Sequence, residues 1–435
     1  MNMKTLFAFD LHTLRQDPFA MERFNTEVFQ CLKKYGTEQN IWQGIEPMVL
    51  LTKHQISGNS NFIVQLPHTV EKELLSFATR WDDHAVAAWC DLMQGKGKIS
   101  EIYFDILQYL VNQYKIEYFV YWGSNHTIKK FCDSIGIYSA AMELGPTRPP
   151  FRETRYCDFA GVNGDSHIRH VDIEQFEPIN LASWRMSGGI SFEDGSMEDS
   201  VFRPLTTKYA ERIYKKKYKT ALVVLQLDDD SNCLIHSRYS GMLEMLQEVI
   251  PQCLAAGWQV LIKPHPGAAP ERNQGKARWR NVQAHLDCRA YVEDCAQERV
   301  VWLDDVPVNE YTSLLSKMDA VISVNSSVGF EAMLLEKIVV ALGNAPYNIQ
   351  NKLPELQEVL NENVNGEKYA DLCARTGNLL LNYYLASENI LSNPFEISAF
   401  LRRNLFLTNA MRQGGYSLLT DTIKSNPINL RSSHP

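Results

Sequence analysis

The sequence predicts an α/β protein made of two Rossmann-like domains, and three observations predict it. Short apolar runs of strand length alternate with helical stretches, once before about residue 160 and again after residue 220. Between the two series lies a Gly-, Ser- and acid-rich passage, SGGISFEDGSMEDS from Ser187 to Ser200, the best linker candidate in the chain. The chain also has 435 residues, 45% of them hydrophobic, which supplies apolar mass for two ordinary cores.

In order, the first series places strands at Lys4–Phe9, Pro47–Leu51, Phe62–Leu66 and Ile116–Tyr121, with a helix at Ile99–Gln113 before the last. The second runs strand Ala221–Leu227, helix Tyr239–Ala256, strands Gln259–Ile262 and Val300–Leu303, helix Glu310–Lys317, then strands Ala320–Val324 and Ile338–Leu342. Met242, Leu246, Val249 and Cys253 recur at helical spacing, so that helix buries one face, and Pro251 is expected to bend or break it. Strand and helix in succession imply parallel pairing with right-handed crossovers. The expected division is a first domain with its linker over 1–205, a second over 206–390, and a segment 391–435 that packs back on the first. Two such domains facing a central cleft form the GT-B architecture, with ligands at the strand ends.

Composition excludes several functions. The 43 Lys+Arg against 51 Asp+Glu give a net charge of -8, which argues against nucleic acid as a partner. Nine cysteines without C-x-x-C pairs fit reduced thiols in the cytoplasm. Asp10 interrupts the only apolar stretch near the N-terminus, so no signal peptide is expected. No apolar run reaches the ~18 residues of a spanning helix, so membrane contact is expected to be peripheral. The run YKKKYK at Tyr214–Lys219 reads as a solvated face or as a contact for an anionic membrane. There is no P-loop, G-x-G-x-x-G, H-E-x-x-H or zinc pattern, and His285, Cys288 and Cys295 read as ordinary helix residues.

Four segments could carry chemistry. In VISVNSSVGFEAMLLE, residues 321–336, a strand runs into Asn325, Ser326 and Ser327 and then a helix. Helix-start N–H groups and hydroxyls there suit a phosphate or carboxylate, the alternative being a plain serine cap. In Lys263-Pro264-His265-Pro266, two prolines hold His265 at a strand end, as a phosphate ligand or proton donor requires. In LQLDDDS, residues 225–231, three readings stand: a solvated loop, a magnesium or manganese pair, or a catalytic carboxylate. In ELGPTRP and YCDFAGVNG, Arg148 could fork onto an anion and Asp158 act as acid or base, although each taken singly reads as structural.

The ordered series ELGPTRP, DFAGVNG, QLDDDS, KPHP, VNSSVGFEAMLLEK and ALGNAPYNI, from Glu143 to Ile349, resembles the capsule polysaccharide synthesis family of bacterial β-Kdo transferases. The resemblance implies a GT-B fold, CMP-Kdo as donor, transfer with retention, and a glycan or lipid-linked glycan acceptor at the O-antigen or capsule. It implies an acceptor-side first domain, a CMP-sugar-binding second domain, and a cytoplasmic enzyme peripheral to the inner membrane. Carried over, His265 and the Ser326–Ser327 turn with Asn325 hold the CMP phosphate, Glu331 faces the nucleotide, and Lys263, Gln226 and Arg148 complete the donor set. A single phosphate calls for no metal, and no cofactor is implied. The pairing of HP with Ser-Ser is also similar to that of bacterial sialyltransferases.

Retention by double displacement needs a carboxylate nucleophile and a second group for acid and base work. The resemblance assigns the first to the cluster of Asp228, Asp229 and Asp230, with Asp230 favoured, and the second to Asp158, where many relatives have the longer Glu. If the nucleophile belongs at 232, Asn232 puts an amide in place of the carboxylate and the chain is a trapped or inactive form. Two other readings are an inverting sialyltransferase-like enzyme and a non-catalytic capsule export or assembly component.

Overall fold

In the computed structural model, residues 2–8, 23–51, 60–77, 83–190, 205, 210–214, 217–272, 279–295, 298–304 and 306–428 are described. The strands are β1 (Met3–Ala8), β2 (Ile45–Leu50), β3 (Ile63–Val64), β4 (Tyr118–Trp122), β5 (Tyr138–Leu144) and β6 (Thr154–Asp158). They continue as β7 (Thr220–Val224), β8 (Gln259–Lys263), β9 (Val300–Trp302), β10 (Ala320–Ser323), β11 (Ile338–Ala341) and β12 (Ala386–Ser387). The chain divides into two α/β units. The first holds Met1–Leu144, Arg155–His167 and Ala386–Ile428, and the second Gly145–Thr154 and Ile168–Leu385.

The sheet of the first unit has the order β12-β6-β5-β4-β1-β2-β3. Strands β1 to β5 pair in parallel, whereas β6 turns back antiparallel on β5. Phe7, Val49, Tyr118 and Val120 bury one face of it with Phe24, Trp42 and Leu401. The helix Pro394–Ser425 belongs to this unit: Asn393 caps its first N–H groups, Pro394 fits its first turn, and Asn404 donates to the Cys157 carbonyl of β6 at 2.8 Å. Gly415, at φ 63°, interrupts that helix where other residues would be strained.

The second unit carries a wholly parallel sheet, β11-β10-β7-β8-β9. The central strands are apolar on both faces because helices cover both: Leu222, Val223, Leu261, Ile262, Val321 and Ile322 are fully buried. The helix Met242–Ala255 runs unbroken through Pro251, so of the bend or break expected there the break does not occur. Its buried face of Met242, Met245, Leu246, Val249, Ile250 and Cys253 holds the turn that proline weakens.

Residues 168–190 also differ from expectation, for they belong to the second unit. The backbone there lies on the helix Gly366–Tyr383: Ile179 N–H donates to the Ala374 carbonyl, while Asn378 and Arg375 donate to the carbonyls of Glu177 and Phe176, each at 2.7 Å. These partners are some 200 positions away in sequence, which is why a reading of local composition extended the first domain to 205. The boundary at 205/206, most of the linker Ser187–Ser200 and part of the run Tyr214–Lys219 lie outside the described residues. Among the described residues no helix is long and apolar enough to cross a membrane.

Candidate functional site

The strand order of the second unit reverses at β7: the chain moves outward through β8 and β9, then returns to place β10 on the other side of β7. Crossovers leave that point in opposite directions, opening a crevice beyond the carboxyl ends of β7 and β10, where parallel sheets bind ligands. The loops there are Leu225–Asp230 after β7 and Val324–Ser326 after β10, flanked by Pro264 and His265 after β8. A hydrogen bond joins the two sides of the crevice, Asn325 Nδ2 donating to Asn232 Oδ1 at 2.5 Å.

After β10, Ser326 caps the helix Ser327–Leu334, its hydroxyl accepting the Val328 N–H at 3.3 Å, and both serines are half-buried. Asn325 is buried. The Tyr347 hydroxyl donates to the Ser326 carbonyl at 2.8 Å and needs Gly329 to reach it, for a Cβ on residue 329 would lie 2.1 Å from that hydroxyl. After β8, His265 Nδ1 accepts the Gly267 N–H at 3.0 Å, which puts the proton of the neutral ring on Nε2. His265 lines a cavity of about 10 Å³ with Gln226, Asp228, Met242, Asn281 and His285.

The three consecutive aspartates separate into three tasks. Asp228 Oδ1 accepts the Met242 N–H at 3.0 Å and so caps the helix Met242–Ala255 from outside it; burial raises its pKa. Asp229 is buried and bound to Asn281, which donates from Nδ2 at 2.9 Å and accepts the Asp229 N–H at 3.3 Å. Asp230 caps the short helix Ser231–Leu234 by accepting the Asn232 N–H at 2.8 Å. Local demands of helix ends and one buried amide therefore account for much of the cluster. Just beyond the aspartates, the Asn232 side chain touches the Asn325–Ser326–Ser327 turn.

Glu331, one turn beyond Ser327 in that helix, is buried with both oxygens engaged. Oε1 accepts the Arg148 backbone N–H at 2.7 Å and Oε2 the Tyr311 hydroxyl at 2.6 Å. Burial pushes its carboxyl up to about 7, against the lowering pull of those bonds and of the Arg148 and Lys263 charges. The Lys263 ammonium lies 5.8 Å from the Tyr311 ring centre. The Arg148 guanidinium turns back on its own loop, to the carbonyls of Thr147 at 2.7 Å and Gly145. Tyr311, Tyr347 and Asn281 escaped the sequence reading; only Tyr347 lay in a quoted motif, ALGNAPYNI.

Asp158 belongs to the first unit and is fully buried. One oxygen accepts the Ala160 N–H at 2.8 Å, the other the Ser166 hydroxyl at 2.6 Å and the His167 N–H at 3.0 Å. The His167 ring lies 2.9 Å away as an ion-pair partner and stacks on Phe159. Burial alone would raise this carboxyl, but the His167 charge and these bonds outweigh it and hold the pKa below the usual carboxylate range. In this conformation Asp158 organises the loop 159–167 and has no exposed oxygen for proton transfer.

Two family models match the chain: "Capsule polysaccharide biosynthesis protein" over residues 199–356, within the second unit, and "Glycosyltransferase 99 family N-terminal domain" over residues 27–167. Over residues 199–356 the chain is similar to the capsule polysaccharide biosynthesis family. A curated relative, the capsule polysaccharide export protein KpsS of Escherichia coli, is 29% identical over 132 residues, a match that spans 30% of this chain and 31% of that one. Among solved structures, the β-Kdo 2,7 transferase of Thermosulfurimonas dismutans KpsC is 13% identical, covering 82% of this chain and 88% of that chain with a TM-score of 0.34. The S. aureus MnaA–UDP structure is 11% identical, with coverage of 94% and 97% and a TM-score of 0.35. At these scores neither structure bears on the chemistry of individual residues.

Proposed function

We propose that the chain is a β-Kdo transferase that takes Kdo from CMP-Kdo and adds it, with retention, to a bacterial surface glycan. The observation that carries the reading is the crevice at the β7/β10 reversal, with Lys263 and His265 at the end of β8 and the Asn325–Ser326–Ser327 turn after β10, on either side of β7. A helix start with two hydroxyls, a histidine with its proton on Nε2 and a nearby ammonium suit a single anionic phosphate. The similarity of residues 199–356 to capsule polysaccharide biosynthesis proteins and of residues 27–167 to a glycosyltransferase N-terminal domain supports a role in capsule glycan assembly.

In the proposed reaction a carboxylate attacks the anomeric carbon as the bond to the CMP oxygen breaks, and the acceptor hydroxyl then displaces that carboxylate. Asp230 supplies the carboxylate in the first version of this reading, and position 232 in the second. The Asn232–Asn325 contact favours position 232, where an amide is a poor nucleophile. Asn232→Asp is therefore expected to raise turnover of CMP-Kdo by at least tenfold, with a covalent Kdo adduct visible by intact mass; an unchanged rate returns the role to Asp230.

Calorimetric titration with CMP, UMP and UDP tests the donor. The expected outcome is selective CMP binding without added metal, weakened at least tenfold in His265→Ala. Selective UDP binding that requires manganese would overturn the donor assignment and make the Asp228–Asp230 loop a metal site.

A further inference from the structure

Glu331 joins three loops of the candidate site at once. It lies one turn beyond Ser327, takes the backbone N–H of Arg148 on one oxygen and the Tyr311 hydroxyl on the other, and feels the charge of Lys263 two residues before His265. The titratable and charged groups that face it are Arg148 on the loop after β5, Lys263 at the end of β8, Tyr311 on the helix after β9 and Tyr347 on the loop after β11. A buried carboxylate among two cations is their local counter-ion, so a second anion brought to the same cations competes with it.

We infer that Glu331 is a positioning residue that serves as counter-ion to Lys263 and Arg148 in the empty site and yields that role, by taking a proton from solvent, when a phosphate reaches the Ser326–Ser327 turn. The inference rests on the reading of that turn as a phosphate site. The hydrogen bonds allow the exchange: the protonated carboxyl keeps Oε1 as acceptor for the Arg148 N–H and presents an O–H from Oε2 to the Tyr311 oxygen, whose own proton rotates away. One proton leaves the buffer for each Glu331 neutralised, and both contacts survive. The pKa of about 7 leaves the group able to change state at neutral pH.

The test is calorimetric titration of the full chain with CMP near pH 7, in two buffers of different ionisation heat, for the wild type, Glu331→Gln and Tyr311→Phe. Wild type is expected to take up a fraction of a proton per CMP bound and to bind several-fold more tightly at pH 6 than at pH 8. Glu331→Gln still binds but loses the uptake that exceeds what CMP itself contributes, and its affinity follows pH less steeply. Tyr311→Phe, which removes a bond that favours the carboxylate, moves the midpoint to higher pH; this variant keeps the question answerable if Glu331→Gln folds poorly. Equal uptake in wild type and Glu331→Gln, or none in wild type, overturns the inference. Equal binding of UMP with the same Glu331-dependent uptake would sink the cytidine donor reading while leaving this one standing, and failure of both nucleotides to bind overturns both.

Discussion

Replacing Asp158 strips partners from the Ser166 hydroxyl, the Ala160 and His167 N–H groups and the His167 ring together. Removing one side of a buried ion pair costs about 3–5 kcal/mol, so Asp158→Ala is expected to destabilise the first unit by that order, read by denaturant unfolding. Asp158→Asn keeps one acceptor and costs less. If Asp158→Asn folded with wild-type stability yet abolished sugar transfer, the acid or base role would stand. Because the carboxyl is held below its ordinary value in the folded chain, its contribution is complete above the unfolded value near 3.8 and is lost as pH falls through the depressed folded value.

At the scale of elements, two glycines set how closely the loops pack. A Cβ on Gly329 would meet the Tyr347 hydroxyl, and a Cβ on Gly241 would lie 2.4 Å from Asp228 Oδ2. Neither position has a positive φ, so the cost of alanine there is crowding: about 1–3 kcal/mol of overpacking for each. Gly329→Ala also pushes Tyr347 off the Ser326 carbonyl and is expected to weaken CMP binding more than Gly241→Ala, a comparison that titration of the two variants decides. The strands that position these loops were legible because their apolar runs are buried on both faces; β7, β8, β10 and β11 fall within a few residues of their expected bounds. Strand β5, with Ser139, Ala140 and Ala141, has no β-branched run to announce it, and the two-residue β12 exists only through its neighbour. The aspartate run was legible as a feature but not as three roles, since its partners Met242 and Asn281 stand 14 and 52 positions away. The serine turn after β10 and the placement of His265 at the end of β8 were readable because strand end, serines and prolines are contiguous.

For the whole molecule, Asp158 in the first unit and Glu331 in the second are fully buried carboxyls whose affinity for protons is shifted, and the two shifts have opposite sign. In the second unit the folded state favours the neutral Glu331, so its stability is complete below the unfolded value of 4.5 and is lost as pH rises through about 7. The full difference is on the order of 3 kcal/mol, enough to move a melting transition by several degrees. In the first unit Asp158 makes stability fall in the other direction, in acid. Scanning calorimetry of the ligand-free chain between pH 5 and pH 8 is therefore expected to show the transition of the second unit moving down with rising pH while the Asp158 contribution stays constant. Glu331→Gln should flatten that dependence and leave the acid limb untouched, and Asp158→Asn should do the reverse. A pH dependence between 5 and 8 that survives Glu331→Gln would assign the titration to another group and remove Glu331 as the element of this fold that senses neutral pH.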